Sequence, residues 1–80
     1  MEITEIYHVY GCNDDGRDLL DSEFIDFKCA CKYAVAKYGR IHYNLPKVVK
    51  YTYSYDPERK TVSERMEVIK PEQIHYMNKI

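Results

Sequence analysis

The chain has 80 residues, with 12 basic and 13 acidic side chains and a formal net charge of −1 at pH 7. A chain of this length forms one domain (residues 1–80) with a thin core, and it has little room for an enclosed small-molecule pocket of ~300 Å³ or more. Its three cysteines are too few for a disulfide scaffold, and no apolar run approaches the ~18 residues of a membrane span. Because Glu2 and Glu5 interrupt the start of the chain, which does not resemble a signal peptide, we expect a cytoplasmic protein with no membrane association.

The first two predicted elements are strands that form a hairpin. Ile3–Tyr10 is rich in β-branched and aromatic residues and is followed by turn-forming residues. Arg17–Phe24 alternates well enough to predict a second strand, and a helix that begins at Asp18 is the alternative. The two predicted sides of this strand hold Leu20, Ser22 and Phe24 and, opposite them, Leu19, Asp21 and Glu23.

A helix follows. Asp26 is a favourable N-cap, and Gly39 stands where a helix commonly ends in a left-handed residue. The apolar residues between them recur at helical spacing, which predicts one buried stripe along the helix. The members of the stripe are Phe27, Ala30, Cys31, Ala34, Val35 and Tyr38. A connection is predicted for Arg40–Pro46.

The second half of the chain predicts a second hairpin, Val48–Tyr55 with Lys60–Ile69, and then a short helix, Pro71–Met77. Pairing Tyr55 with Lys60 separates a mainly apolar face from a polar one, so the hydrophobic pattern favours this register. The predicted apolar face holds Val49, Tyr51 and Tyr53 beside Met66, Glu64 and Val62. The predicted polar face holds Lys50, Thr52 and Ser54 beside Arg65, Ser63 and Thr61. We therefore expect the tyrosines to face the helix.

Together these elements predict an α+β fold of the order ββαββ. It has a four-stranded antiparallel sheet, one helix packed on one face and a short C-terminal helix. The order of the strands in the sheet does not follow from the sequence. An exposed sheet edge would allow a homodimer.

Acidic and basic residues are separated along the chain. Residues 1–26 contain eight acidic residues and one basic residue, residues 27–55 contain six basic residues and no acidic one, and residues 56–80 contain five of each. Segregated charge of this kind steers association and restricts the choice of partner.

The acidic segment predicts a partner-binding site, with a solvated loop as the alternative. Its predicted binding residues are Asp14, Asp15, Asp18, Asp21 and Glu23. We predict no metal site here, because the acidic residues before Gly16 lack the alternate spacing of a calcium-binding loop.

The basic segment predicts a second binding surface, for a partner or for nucleic acid. Its predicted binding residues are Lys28, Lys32, Lys37, Arg40, Lys47 and Lys50. Tyrosines are interleaved with them, and cations beside flat rings are typical of nucleic-acid surfaces. The alternative is a solvated helix face with the tyrosines in the core.

No catalytic residues and no cofactor are predicted. Cys29 and Cys31 are two positions apart on a helix and point in nearly opposite directions, so they cannot chelate one metal ion. The chain has only three glycines and no phosphate-binding loop. A Cys12 nucleophile with His8 as its base is the remaining enzymatic alternative.

Two segments carry a resemblance to known proteins. They are Glu5-Ile6-Tyr7-His8-Val9-Tyr10-Gly11-Cys12-Asn13-Asp14 and Glu23-Phe24-Ile25-Asp26. With the Ala/Tyr helix that follows, the chain resembles small proteins of phages and mobile elements, in particular anti-defence proteins of the anti-CRISPR kind. The resemblance implies a protein that binds a host effector and blocks its nucleic-acid site or its assembly, and it implies no particular site residues.

The sequence as a whole therefore predicts a small non-catalytic protein-binding module. The expected partner is a host protein or nucleoprotein complex, and the expected location is the cytoplasm of a bacterial host. The alternative is a nucleic-acid-binding accessory protein that uses the basic, Tyr-rich segment 27–55.

Overall fold

The structure, a computed structural model, describes residues 2–12, 17–38 and 47–79. It confirms the α+β class and the four-stranded antiparallel sheet. In chain order the elements are β1 (Glu2–Cys12), β2 (Asp18–Phe24), α1 (Phe27–Tyr38), β3 (Lys47–Asp56), β4 (Thr61–Val68) and α2 (Pro71–Lys79). Neither described helix is long and apolar enough to cross a membrane.

The four strands lie in the order β2-β1-β3-β4, and each adjacent pair is antiparallel. β1 and β3 are therefore central, while β2 and β4 form the two edges. The segment before the first helix is a strand, so the alternative helix beginning at Asp18 is wrong. The helical layer contains two helices, because α2 packs on α1 after the chain leaves β4.

The start of α1 is fixed by the cap that the sequence predicts. Oδ1 of Asp26 accepts hydrogen bonds from the backbone N–H groups of Lys28 at 2.8 Å and Cys29 at 3.3 Å. These bonds satisfy donors that the first turn of a helix leaves free. The predicted C-terminal residue Gly39 and the connection Arg40–Pro46 lie outside the described residues.

The core lies between the helices and one half of one sheet face. Ala30, Cys31 and Ala34 are the fully buried residues of α1, as the predicted stripe requires. Small side chains let the helix approach the sheet closely, and the Phe27 ring stacks on the Tyr7 ring with their centroids 5.1 Å apart. The buried cluster consists of Tyr7, Val9, Ala30, Cys31, Ala34, Val48, Ile69 and Ile74.

The predicted register of the second hairpin is wrong by two residues. Tyr55 pairs with Val62, not with Lys60, and Asp56 is the last residue of β3. Oδ1 of Asp56 accepts from the N–H groups of Glu58 and Arg59, and Lys60 has a positive φ of 54°. Lys60 therefore belongs to the turn. A shift of two residues leaves every side chain on its predicted face, since side chains alternate with a period of two.

The face that the helices cover was predicted wrongly. Val48 is fully buried against the helices and pairs with Val9 on β1, so the face that carries Lys50, Thr52 and Ser54 is the helix side. The β3 tyrosines therefore point away from the helices. The reason is that Val48 and Val49 are adjacent and point to opposite faces of β3. Each face therefore has a valine that could pack in the core.

The resulting molecule is flat and extended. Its principal dimensions are 48 × 33 × 17 Å, and its radius of gyration is 14.4 Å. A compact domain of this length would have a radius of gyration of about 11.6 Å. The difference follows from an architecture of two layers, in which the helices cover only part of one sheet face.

Candidate functional site

The sheet face opposite the helices is covered by neither described helix, and we call it the open face. Strand alternation and the observed registers define its residues. They are Glu2, Thr4, Ile6, His8 and Tyr10 on β1, Lys47, Val49, Tyr51, Tyr53 and Tyr55 on β3, Val62, Glu64, Met66 and Val68 on β4, and Asp18, Leu20 and Glu23 on β2.

Several apolar side chains on the open face are exposed. Val62, Met66 and Val68 on the edge strand β4 are 69%, 64% and 53% exposed, and Leu20 at the opposite edge is 51% exposed. Tyr55 lies beside Val62 and is 39% exposed. A patch of exposed apolar side chains, such as the one along β4, is typical of an interaction site.

The centre of the open face is a cluster of rings joined by polar contacts. The His8 and Tyr51 ring centroids are 4.4 Å apart, and the Tyr10 and Tyr51 hydroxyls are 3.2 Å apart. The Tyr10 hydroxyl also lies 3.5 Å from Nδ1 of His8, and Nε2 of His8 lies 3.4 Å from a Glu23 carboxylate oxygen. The hydrogen bond with Tyr51, together with burial, raises the pKa of Tyr10 to about 12. The Tyr10 hydroxyl therefore remains protonated at physiological pH.

The charges of the open face are mostly negative. Lys47 is its only lysine or arginine among the described residues, and its Nζ lies 2.7 Å from Oδ2 of Asp18 and 5.6 Å from the Tyr10 ring centroid. Glu64, which lies beside Tyr53 on the neighbouring strand, forms no ion pair with another described residue. The carboxylates of the face are those of Glu2, Asp18, Glu23 and Glu64.

The predicted acidic site is divided by the fold. Asp14 and Asp15 lie outside the described residues. Asp18 and Glu23 belong to the open face, where they contact Lys47 and His8. Asp21 points to the other side of the sheet and contacts α1, so the three described acidic residues do not form one patch.

A β-bulge explains the position of Asp21. The pairing of β1 with β2 shifts between Val9, which pairs with Ser22, and Tyr10, which pairs with Leu20. The extra residue is Asp21, and the bulge turns its side chain toward the helix. The predicted alternation, which grouped Leu20 with Ser22 and Phe24 and grouped Asp21 with Glu23, is therefore wrong from the bulge onward.

Asp21 serves as an anchor for the end of α1. Its carboxylate accepts hydrogen bonds from Tyr33 at 2.6 Å and from Tyr38, and Nζ of Lys37 lies 2.6 Å away. Lys37 first, and then the two tyrosines, hold the pKa of Asp21 well below its usual range. These contacts occupy the carboxylate within the protein and give it a structural role.

The predicted basic residues also divide between two sides of the molecule. Lys28, Lys32 and Lys37 lie on α1, and Arg40 lies outside the described residues. Lys50 is on the helix side of β3, where its Nζ lies 3.4 Å from a Glu5 carboxylate oxygen. Of the predicted basic residues that the structure describes, only Lys47 shares a face with the β3 tyrosines. Residues that alternate in the sequence of segment 27–55 are thus separated in space.

The remaining chemistry-bearing side chains are distributed singly. Cys31 is buried, and burial raises the pKa of its thiol to about 11, while Cys29 is exposed on the other side of α1. Among residues 2–12, 17–38 and 47–79, no group of three or more His, Cys, Asp or Glu side chains is arranged to hold a metal ion.

The sequence pattern does not reveal the open face, because it predicts that the β3 tyrosines face the helix. The sequence carries no signal that separates the two faces of β3, because Val48 and Val49 are adjacent and either one could lie in the core. The open face can bury apolar surface, stack planar groups and exchange hydrogen bonds through its hydroxyls. Comparisons of this chain with models of protein families, with characterised proteins and with solved structures give no significant match.

Proposed function

We propose that the protein is a non-catalytic protein-binding module and that the open face is its docking surface. The observation that carries this proposal is the uncovered, Tyr-rich sheet face with Val62 and Met66 at its edge. Tyr and Met are enriched at protein interfaces, where a large side chain buries much area and a hydroxyl finds a partner. Rings held in place by neighbouring strands lose little conformational freedom on binding.

The charges of the open face favour a protein over nucleic acid. Nucleic-acid binders place several lysines or arginines beside their stacking rings, because neutralising phosphates supplies most of the affinity. Here Lys47, the one lysine or arginine on this face within the described residues, is already paired with Asp18, and the neighbouring charged groups include carboxylates. These charges would repel phosphates at the positions where the rings could stack on bases.

The same charges specify the chemistry of the partner. An apolar platform with exposed carboxylates at Glu23 and Glu64 complements a protein patch that has an apolar centre and basic residues around it. Basic surfaces of this kind are what nucleic-acid-handling proteins use to hold phosphates. This match supports the more specific proposal of a phage-encoded inhibitor that occupies the nucleic-acid site of a bacterial defence complex.

The test is affinity capture from bacterial lysate with three matched forms of the protein. The open-face variant carries Tyr53→Ser and Tyr55→Ser, and the helix-face control carries Lys28→Ser and Lys32→Ser. We expect the wild type and the control to recover the same protein, and the open-face variant to bind it at least about tenfold more weakly. Circular dichroism shows whether each form is folded.

Two results would contradict the proposal. If the open-face variant retains the captured protein while the Lys28→Ser, Lys32→Ser form loses it, the binding surface is the basic side of α1. If purified wild-type protein shifts a labelled oligonucleotide at low salt and releases it as salt increases, nucleic acid is the ligand.

A further inference from the structure

The two edges of the sheet differ in their readiness to accept another strand. β2 is short and is interrupted by the bulge at Asp21, a feature that protects an edge from pairing. β4 is a regular strand, Thr61–Val68, and all eight of its residues are exposed. It pairs with β3 on one side and with no described strand on the other. Its free backbone groups are therefore the more favourable template for strand addition.

We propose that β4 pairs with β4 of a second copy of this chain, in an antiparallel register centred on Met66. Such a dimer is independent of the proposed function, because it involves only the β4 edge of two copies of this chain. A two-fold axis that relates antiparallel edge strands runs perpendicular to the sheet, so each residue pairs with the one at an equal distance on the other side of the axis. The overlap extends from Glu64 to Val68 on each strand.

Charge complementarity selects this register. Centring the axis on Met66 places Arg65 of each copy directly opposite Glu67 of the other, and Met66 opposite itself. Centring it on Glu64, Arg65 or Glu67 places identical charges directly opposite each other, which is destabilising. In the described part of the chain neither Arg65 nor Glu67 forms an ion pair, so both remain available for a partner.

The dimer would join the two sheets into one. Because the axis is perpendicular to the sheet, the open faces of both copies lie on the same side. Val62, Glu64, Met66 and Val68 of the two β4 strands would then form the middle of a continuous eight-stranded surface. The tyrosines of β3 would flank that middle on both sides.

The contact area of two edge strands is small, so the expected dimer is weak. Interfaces below about 1,200 Å² are typically transient. Light scattering should therefore show a mass that increases from 9.6 kDa toward twice that value. We expect this increase between concentrations of about 10 µM and 1 mM.

A charge-exchange experiment tests both the dimer and its register. Arg65→Glu alone or Glu67→Arg alone places like charges opposite each other and should weaken the dimer by about tenfold. An equimolar mixture of the two variants restores both opposite-charge pairs. It should form a heterodimer at the same protein concentrations at which the wild type forms its homodimer. Arg59→Glu, in the exposed turn, makes the same charge change away from the edge and should have no effect.

A second readout gives the register directly. Met66→Cys should cross-link to itself under mild oxidation, since residues opposite each other have Cβ atoms about 5 Å apart. Val62→Cys should not, because this register separates the two copies of Val62 by roughly 26 Å. The inference is overturned if the wild type remains monomeric at all these concentrations, if the mixture of charge variants does not associate, or if Val62→Cys cross-links as readily as Met66→Cys.

Discussion

Lys37 places its Nζ atom 2.6 Å from Oδ2 of Asp21, which ties the last turn of α1 to the bulge in β2. The side chain of Asp21 is only 11% exposed, and two tyrosine hydroxyls share its carboxylate. The Asp18–Lys47 pair offers a comparison, because both of its side chains are more than 40% exposed. Two ion pairs of equal chemistry thus differ in burial and in the number of their hydrogen bonds.

Asp21→Asn is expected to lower the melting temperature more than Asp18→Asn does. The first substitution removes the charge that Lys37, Tyr33 and Tyr38 all contact, whereas exposed ion pairs contribute little to stability. Thermal unfolding followed by circular dichroism measures both variants against the wild type. Equal effects of the two substitutions would show that Asp21 is not an anchor of α1.

The stability difference between the wild type and Asp21→Asn is expected to depend on pH. Since the folded state holds the pKa of Asp21 below its value in the unfolded chain, its contribution is fully present above about pH 5 and decreases as the pH falls. Urea unfolding at several pH values should show the two proteins converging below about pH 4. A difference that stays constant from pH 7 to pH 3 would contradict the pKa direction.

Gly11→Ala is expected to destabilise the protein by about 1–3 kcal/mol. A Cβ atom at this position would lie 2.5 Å from the Tyr38 hydroxyl oxygen and 2.7 Å from its Cζ, so the ring that contacts Asp21 must move. Urea unfolding gives the free energy of unfolding. In a Tyr38→Ala background the same substitution should be neutral or stabilising, because an alanine loses less chain entropy than a glycine on folding.

The sequence predicted the parts of the fold that depend on local chemistry. The cap at Asp26, the buried face of α1 and the second helix follow from residue types at fixed spacing, although that helix ends at Lys79 and not at Met77. The bulge at Asp21 is different, because the side chain of Asp21 is held by residues of α1 and not by its neighbours in the strand. A strand pattern alone therefore could not place this side chain.

The candidate site depends on a choice that periodicity leaves open. Tyr51 and Tyr53 alternate with polar residues, which indicates a strand with two different faces but not which face the helix covers. In the structure the helices cover the face of β3 that carries Val48, which is buried in one cluster with the small residues of α1. A tyrosine has an apolar ring and a polar hydroxyl, so it can lie in a core or at a surface. Its presence therefore does not indicate which side of a strand is buried.

Ile74→Ala is expected to destabilise the protein by about 2–5 kcal/mol, while Ile25→Ala should change its stability by less than about 0.5 kcal/mol. Ile74 is 1% exposed and lies in the core cluster that joins α2 to α1, and Ile25 is 87% exposed. The two substitutions remove the same atoms, so their difference isolates burial. Chemical unfolding measures the free energy of unfolding of both variants. Similar losses for Ile74→Ala and Ile25→Ala would show that α2 is not part of the cooperative core.

Tyr51→Phe is expected to lower the pKa of Tyr10 from about 12 toward its ordinary value of 10, because the hydrogen bond between the two hydroxyls is the main cause of the increase. Part of the increase should remain, since burial also contributes. NMR of a ring carbon of Tyr10 measures the titration in isolation from the other tyrosines. Tyr55→Phe is the control, because Tyr55 has no hydrogen bond to Tyr10. An unchanged pKa in the Tyr51→Phe protein would mean that the hydroxyls do not bond, whereas a decrease would show that this hydrogen bond links β1 to β3 across the open face.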